Sequence, residues 1–263
     1  DRGHAEADGM ILAVDAGNSN IVLGCMDRFE VRHTMRLITD RRLDAAGYMA
    51  AIRDSLAQNG CPAEGFEGAI LSSVVAAVTE PLRQALYALL SGPVLVVGNT
   101  ARTTIPIRIE QPETLGADLI AAAEGALAQY TPPLVLIDMG TATTLSVLDE
   151  SGAFLGGAIA PGVRLSAEAL AQRTGLPMPE LTAPESALSR STEDCLRSGV
   201  VLGAAAMVDG MLDRLEASLG RPVTAVATGG LAGCVIPHCR RPVILDEALL
   251  LRGLSVMYRR ETR

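Results

Sequence analysis

Apolar positions along this chain fall into short runs separated by turn residues, not into one long amphipathic period. Met10 to Cys25 reads as strand, turn, strand: "ILAV", then turn-forming "DAGNSN", then "IVLGC". "FEVRHTMRL" (Phe29 to Leu37) alternates as a third antiparallel strand, so the chain opens with a meander. "LDAAGYMAAIRDSLAQNG" has the spacing of an amphipathic helix closed by Asn-Gly. "GAILSSVV" (Gly68 to Val75) and "PVLVVG" (Pro93 to Gly98) are short buried strands flanking the helix "TEPLRQALYALLSG", which places Pro81 in a first turn. The Pro-rich, arginine-bearing "TARTTIPIRIEQPETLG" then reads as a hinge or binding loop.

The second half restates this plan. Alanine-rich "GADLIAAAEGALAQY" (Gly116 to Tyr130) is helical with Asp118 in its first turn. "PLVLIDMGTATTLSVLDESGAFLGGAIAPG" follows as strand, turn, strand, Ser-Gly hairpin, strand and glycine-rich loop. The rest is mostly helical, apart from strand-like "PVTAVATGG" (Pro222 to Gly230) and "RPVILD" (Arg241 to Asp246). The domains expected are 10–115 and 116–263, and "DRGHAEADG" at 1–9 is expected to be an expression remnant or a disordered arm.

Composition narrows the function. With 263 residues, 49% of them apolar, the chain can bury a sizeable core as a globular protein. No apolar run is expected to reach the length of a membrane span. A net charge of -8 argues against non-specific nucleic-acid or anionic-membrane partners, which need a basic face. All 22 basic residues are arginine, which excludes Schiff-base chemistry and lysine-dependent phosphate loops. Five scattered cysteines suit a reducing cytoplasm better than a disulfide framework, and "CVIPHC" fits no standard zinc spacing.

The chemistry sits in the repeat. "ILAVDAGNSNIVLG" and "LVLIDMGTATTLSV" share an apolar strand, Asp, any residue, Gly, polar donors and a returning strand. The glycine allows a tight hairpin and leaves room for a phosphate beside the backbone. Asn18, Ser19 and Asn20, like Thr141, Thr143 and Thr144, supply amide and hydroxyl donors. Asp15 and Asp138 are poised to hold Mg²⁺ or another cation at the phosphates, although one Asp-x-Gly alone also suits an Asx-turn. "VTAVATGGLAG" brings backbone close at Gly229 and Gly230, where a base or ribose could lie, and "GGAIAPG" could do so for a substrate.

In the order "DAGNSN", "SSVV", "GAD", "DMGTATT", "GGAIAPG", "RSTEDCLRSG", "ATGGLA", these motifs resemble the type III pantothenate kinases of the acetate and sugar kinase/Hsp70/actin superfamily, from Met10 onward. The resemblance implies an α/β fold of two similar actin-like (ribonuclease H-like) lobes, each a five-stranded mixed sheet with helices, with a nucleotide cleft between them. It also implies a cytoplasmic homodimer that phosphorylates pantothenate with ATP, the first step of coenzyme A synthesis, using Mg²⁺ and a monovalent cation, K⁺ or NH₄⁺. Asp15, Ala16, Gly17, Asn18, Ser19, Asn20, Ile21 and Val22 match the family's phosphate segment. Thr141 matches an ATP contact, with Thr143, Gly229 and Gly230 beside it on the nucleotide side. Asp138 matches the monovalent-cation ligand and Asp118 the general base, while Gly116, Ala117, Leu119, Thr192 and Ile109 fall on the substrate side. Asp118 is expected to suffice as a base with an ordinary, low pKa.

The sequence departs from the family on that acceptor side. Leu119 stands where Gly-x-Asp-Arg has arginine, Ile109 where an aromatic is usual, Gln111 at an asparagine, and Arg102-Thr103-Thr104 at Lys-Thr-Gly. Either Arg102 or Arg108 restores the lost charge, or the chain is a paralogue that phosphorylates another small alcohol or only binds nucleotide as a regulator.

Overall fold

The computed structural model describes residues 9–61 and 64–263; positions 1–8 of the expected arm lie outside the described residues. In chain order the elements are β1 (Met10–Ala16), β2 (Asn20–Asp27), β3 (Glu30–Ile38), α1 (Ala45–Gln58), β4 (Phe66–Ser73), α2 (Ala76–Leu89), β5 (Val94–Val96) and α3 (Ala117–Leu127). They continue with β6 (Leu134–Met139), β7 (Ala142–Leu148), β8 (Phe154–Pro161), α4 (Val163–Thr174), α5 (Thr192–Arg197), α6 (Gly203–Leu219), β9 (Thr224–Thr228), α7 (Ala232–Val235), β10 (Ile244–Leu245) and α8 (Leu249–Glu261).

The strands form two five-stranded mixed sheets, ordered β3-β2-β1-β4-β5 and β10-β9-β6-β7-β8. In each, the lobe's first strand pairs antiparallel with its second and parallel with its fourth, so the repeat read from the sequence is a repeat of topology. The first sheet's central strand is apolar almost throughout because both its faces are covered. Leu12 and Val14 pack among Tyr48 and Ile52 of α1 and Leu82 and Leu86 of α2. Ile11 and Ala13 pack on the other side among Ala121 of α3 and Leu251, Leu254 and Tyr258 of α8.

That second layer changes the division of the chain expected at 115/116. The chain forms two compact units, one of residues up to Ile105 with Gln111–Gln129 and Ala248–Arg263, the other of Pro106–Glu110 and Tyr130–Glu247. α3 and α8 belong with the first sheet because they cross backbone against backbone: a Cβ on Gly125 would strike the Leu249 carbonyl, and one on Gly253 the Ala121 carbonyl. Arg260 of α8 clamps the crossing by pairing with the buried Glu124 of α3 at 2.9 Å, and Glu124 also accepts from Thr103 Oγ1 at 2.8 Å.

Three local expectations are corrected. α2 begins at Ala76, so Pro81 lies inside the helix and not in its first turn. The helix opens three residues before Thr79, from an N-cap at Val75, whose carbonyl accepts from Thr79 Oγ1 at 3.0 Å. "GGAIAPG" is mainly strand, because β8 pairs with β7 through Pro161, and Gly157 leaves room for the Leu145 carbonyl. The 28-residue helical stretch Thr192–Leu219, π-wound at Ser198–Leu202, is long and apolar enough by composition to cross a membrane. Its Val200, Val201, Ala205, Val208 and Leu212 instead fill the second unit's core against Val135, Ile137 and Val147.

Candidate active site

In the first unit, Asp15 lies on β1 near its end, on the face of Ile11 and Ala13, opposite Ser72 of β4, whose Oγ donates to its carboxylate at 2.9 Å. The chain then turns through Gly17–Asn20, closed by Gly17 N–H donating to the Asn20 carbonyl at 3.0 Å. Thr39 braces this turn twice: Oγ1 donates to the Gly17 carbonyl at 2.7 Å and N–H to the Ser19 carbonyl at 3.1 Å. Arg41 reaches Asn18 Oδ1 at 3.2 Å. Asn18, Ser19 and Asn20 are exposed, whereas Ala16 and Ile21 point into the core and can offer a ligand only their backbone.

Asp118 stands on the first turn of α3, where Gly116 is the N-cap and a Cβ on Gly116 would strike the Asp118 carboxylate. Its Oδ1 accepts from Leu119 N–H at 2.8 Å. Burial pushes its pKa up against the lowering effect of that bond, which corrects the expectation of a low value. A carboxylate half-withdrawn from water is a better proton acceptor than an exposed one.

In the second unit three glycine turns named in the sequence converge. Gly140 N–H donates to the Ala142 carbonyl at 3.0 Å, Gly162 N–H to the Thr141 carbonyl at 3.1 Å, and Leu231 N–H to the Met139 carbonyl at 3.2 Å. Gly229 has φ +96°, and a Cβ there would press on Asp138 Oδ1 and the Met139 backbone. Asp138 is thus walled by backbone, in register with Thr144 on one side and Thr228 on the other. Thr141 and Gly230 are exposed. Thr143 is not beside them: it pairs with Met139 on the core face, 1% exposed, so its side chain faces away from Asp138. The Oγ1 atoms of Thr143 and Thr144 are buried and unpartnered within the protein.

The acceptor-side residues are more dispersed. Ile109 belongs to the short segment Pro106–Glu110 that pairs with the start of β8, where Arg108 N–H donates to the Phe154 carbonyl at 2.8 Å. Arg108 spends its guanidinium on Asp149 at 2.9 Å, so of the two arginines expected to restore the lost charge it is the committed one. Arg102 is exposed, on a segment tied to α3 through Thr103 and Glu124. Ala117 and Leu119 flank Asp118, half-buried, and Thr192 is exposed at the first position of α5. Sequence reading missed Arg197, whose guanidinium holds Thr182 O at 3.0 Å, Thr182 Oγ1 at 2.6 Å and Ala183 O at 3.1 Å, fixing the irregular segment before Thr192. It also missed Thr39 and Arg41, for which no spacing rule signals a hydrogen bond back to the turn.

The residues suit cations held largely by phosphate and water. Among the described residues no group of three or more His, Cys, Asp or Glu could hold a metal by itself. Single carboxylates beside exposed hydroxyls and open backbone fit an ion that takes its other oxygens from phosphates. The Cys234 and Cys239 thiols donate to the Leu231 carbonyl at 3.1 Å and the Ala205 carbonyl at 3.8 Å, and burial raises the Cys239 pKa to about 11, so this pair is structural.

Comparison with known proteins places this geometry. The sequence model of the type III pantothenate kinases matches residues 11–214. A type III pantothenate kinase from Moorella thermoacetica is 36% identical over 254 residues, 96% of this chain and 100% of that protein. A solved structure from Campylobacter jejuni, described as a Baf family transcriptional activator, superposes with a TM-score of 0.61 at 19% identity, covering 95% of this chain and 98% of its own. A ROK family glucokinase from Streptomyces griseus, solved with glucose and AMPPNP, superposes with a TM-score of 0.50 at 16% identity over 95% and 98% of the two chains. The two similar five-stranded lobes, the paired Asp-x-Gly turns and the near full-length sequence match lead to one conclusion: the chain belongs to the type III pantothenate kinase family.

Proposed function

We propose that this protein phosphorylates pantothenate to 4'-phosphopantothenate with ATP, the step that opens coenzyme A biosynthesis. The observation that carries the reading is Asp118, a half-buried carboxylate of raised proton affinity at the start of α3, in the same unit as the Gly17–Asn20 turn. A phosphoryl-transferring enzyme needs donors that hold phosphate and a base that takes the hydroxyl proton late. In the first unit Asp15 and the backbone of Ala16 through Val22 are the phosphate-binding residues, and in the second Thr141, Gly229 and Gly230 are the nucleotide contacts. The core-facing Thr143 supports its turn from behind.

Asp15 would hold Mg²⁺ through the phosphates, and Asp138, with the carbonyls around it, a monovalent cation. Such ions, when bound, neutralise charge developing on the transferred phosphoryl group. The protein's own work is to fix the phosphates, orient the acceptor hydroxyl toward Asp118 and remove its proton. In the first unit Gly116, Ala117 and Leu119 are acceptor contacts, and the exposed Arg102 replaces the missing arginine; in the second, Ile109 and Thr192 are the acceptor contacts. A cytoplasmic homodimer without nucleic-acid or membrane partners completes the reading, in keeping with the net charge of -8.

The replaced residues at Leu119 and Ile109 favour a second reading, a paralogue acting on another small alcohol or a nucleotide-binding regulator. ADP release by the purified protein with Mg²⁺, ATP and K⁺, with and without pantothenate, separates them. Pantothenate-dependent turnover is expected. Turnover only with other alcohols, or ATP binding with no turnover, would replace this reading by one of the alternatives.

A further inference from the structure

The loop after β3 is built around the phosphate turn. Thr39 fixes the Gly17 and Ser19 carbonyls at 2.7 and 3.1 Å. The Asp40 carbonyl accepts from the buried Tyr48 of α1 at 2.7 Å and from Leu43 N–H at 3.2 Å, which ties the loop to the core. The two arginines that follow have different fates. Arg42 is spent inside the loop, donating to both oxygens of Asp40 at 2.9 and 2.8 Å. Arg41 instead sends its guanidinium to Asn18 Oδ1 at 3.2 Å, on the exposed rim of the turn.

A single amide oxygen satisfies one of the five N–H donors that a guanidinium presents, and the remainder match the paired oxygens of a phosphate. In a chain without lysine, an arginine must supply any side-chain cation at the phosphates. We propose that Arg41 is a phosphate-binding residue of the nucleotide site, held ready by Asn18 and bonded to the terminal phosphate of ATP during transfer. The inference rests on the reading of Gly17–Asn20 as the phosphate turn. In the reaction the acceptor oxygen bonds to the γ-phosphorus as the bond from that phosphorus to the β–γ bridging oxygen breaks. The hydroxyl proton passes to Asp118, and ADP leaves with the bridging oxygen's electron pair. Arg41 stabilises charge on the γ-phosphoryl oxygens and is itself unchanged.

The test compares Arg41→Gln, Arg41→Lys and Asn18→Ala with the parent, using calorimetric titration of ATP and ADP and steady-state kinetics with pantothenate. Arg53→Gln, an exposed charge on α1, is the control. Arg41→Gln is expected to weaken ATP binding about 10- to 100-fold while ADP binding changes far less, with kcat/KM for ATP falling in step. Arg41→Lys should recover part of the loss, as a point charge without the fork, and Arg53→Gln should match the parent. Equal losses for ATP and ADP, reproduced by Asn18→Ala, would make Arg41 a brace for the turn and overturn the proposal, as would unchanged ATP binding in Arg41→Gln. A parent that binds neither nucleotide would overturn the reading of the turn itself, which separates the two failures.

Discussion

Asp118 is held by forces of opposite sign. The Leu119 N–H stabilises its charged form, and withdrawal from water destabilises it more, so its folded-state pKa lies above the usual carboxylate value. Folding therefore favours the protonated side chain. Asp118 contributes stability that is fully present below the unfolded-state pKa, about 3.9, and lost as pH rises through the folded value. At pH 7 the charged side chain is a burden on the fold. Asp118→Asn keeps an acceptor for Leu119 N–H and removes that burden, so urea melts at pH 7 should find the variant at least as stable as the parent, with the difference shrinking toward pH 3.5 while turnover is lost. A pH-independent stability deficit would make the carboxylate a simple helix cap. The acid limb of kcat/KM in the parent should accordingly lie above the usual carboxylate range. A second residue-scale prediction follows from Arg108 being spent on Asp149. Arg102→Gln should raise the KM for pantothenate about tenfold at nearly constant kcat, as expected of a lost charge-assisted contact, and Leu119→Arg should lower it in that background. Unchanged KM in Arg102→Gln would remove Arg102 from carboxylate recognition.

The helix that carries Asp118 is positioned by its crossing with α8. Gly125 and Gly253 leave no room for a methyl group, and Glu124 with Arg260 closes the crossing with a largely buried ion pair. Gly253→Ala would gain a little helix propensity but must part the helices. A net loss of about 1–3 kcal/mol, or somewhat more, is expected in denaturant titration, together with a fall in kcat as Asp118 shifts. Full stability and activity would show that the crossing has slack. The same crossing marks the limit of what could be read from the sequence. An apolar strand delivering an acid into a glycine turn is a local pattern, and it made the β1–β2 and β6–β7 hairpins legible. The alanine-rich run gave the start of α3, and the two five-stranded sheets were implied only by the family resemblance. Nothing local says that Ala117–Leu127 and Leu249–Glu261 cover the first sheet, because that depends on two glycines remote in sequence that permit contact. Burial of Asp118 is likewise a tertiary property that its position in a first turn does not announce, which is why its proton affinity was read with the wrong sign. Thr143 was misjudged for a simpler reason: side chains alternate along β7, so its neighbour Thr144 faces Asp138 and it does not.

At the scale of the molecule, the second unit exposes apolar side chains that its own core does not use. β8 is an edge strand with Ile159 79% exposed, and beyond it come Leu165 and Leu170 on α4, Met178, and Leu188 at 85%. Scattered exposed leucines are ordinary, but a concentration within one stretch of chain beside an edge strand paired on its outer side only at its start suits burial against another protein surface. A second copy is the economical partner, since self-association closes such a surface by two-fold symmetry. The protein should therefore scatter light as a dimer at micromolar concentration. Leu165→Glu combined with Leu170→Glu, at exposed positions whose loss leaves Val163 and Ala167 in the core, should yield a folded monomer. If that monomer also loses pantothenate turnover while binding ATP as before, dimerisation completes the acceptor side of the site. If it turns over normally, the interface serves stability alone, and a parent that is monomeric throughout would leave the apolar residues as plain surface.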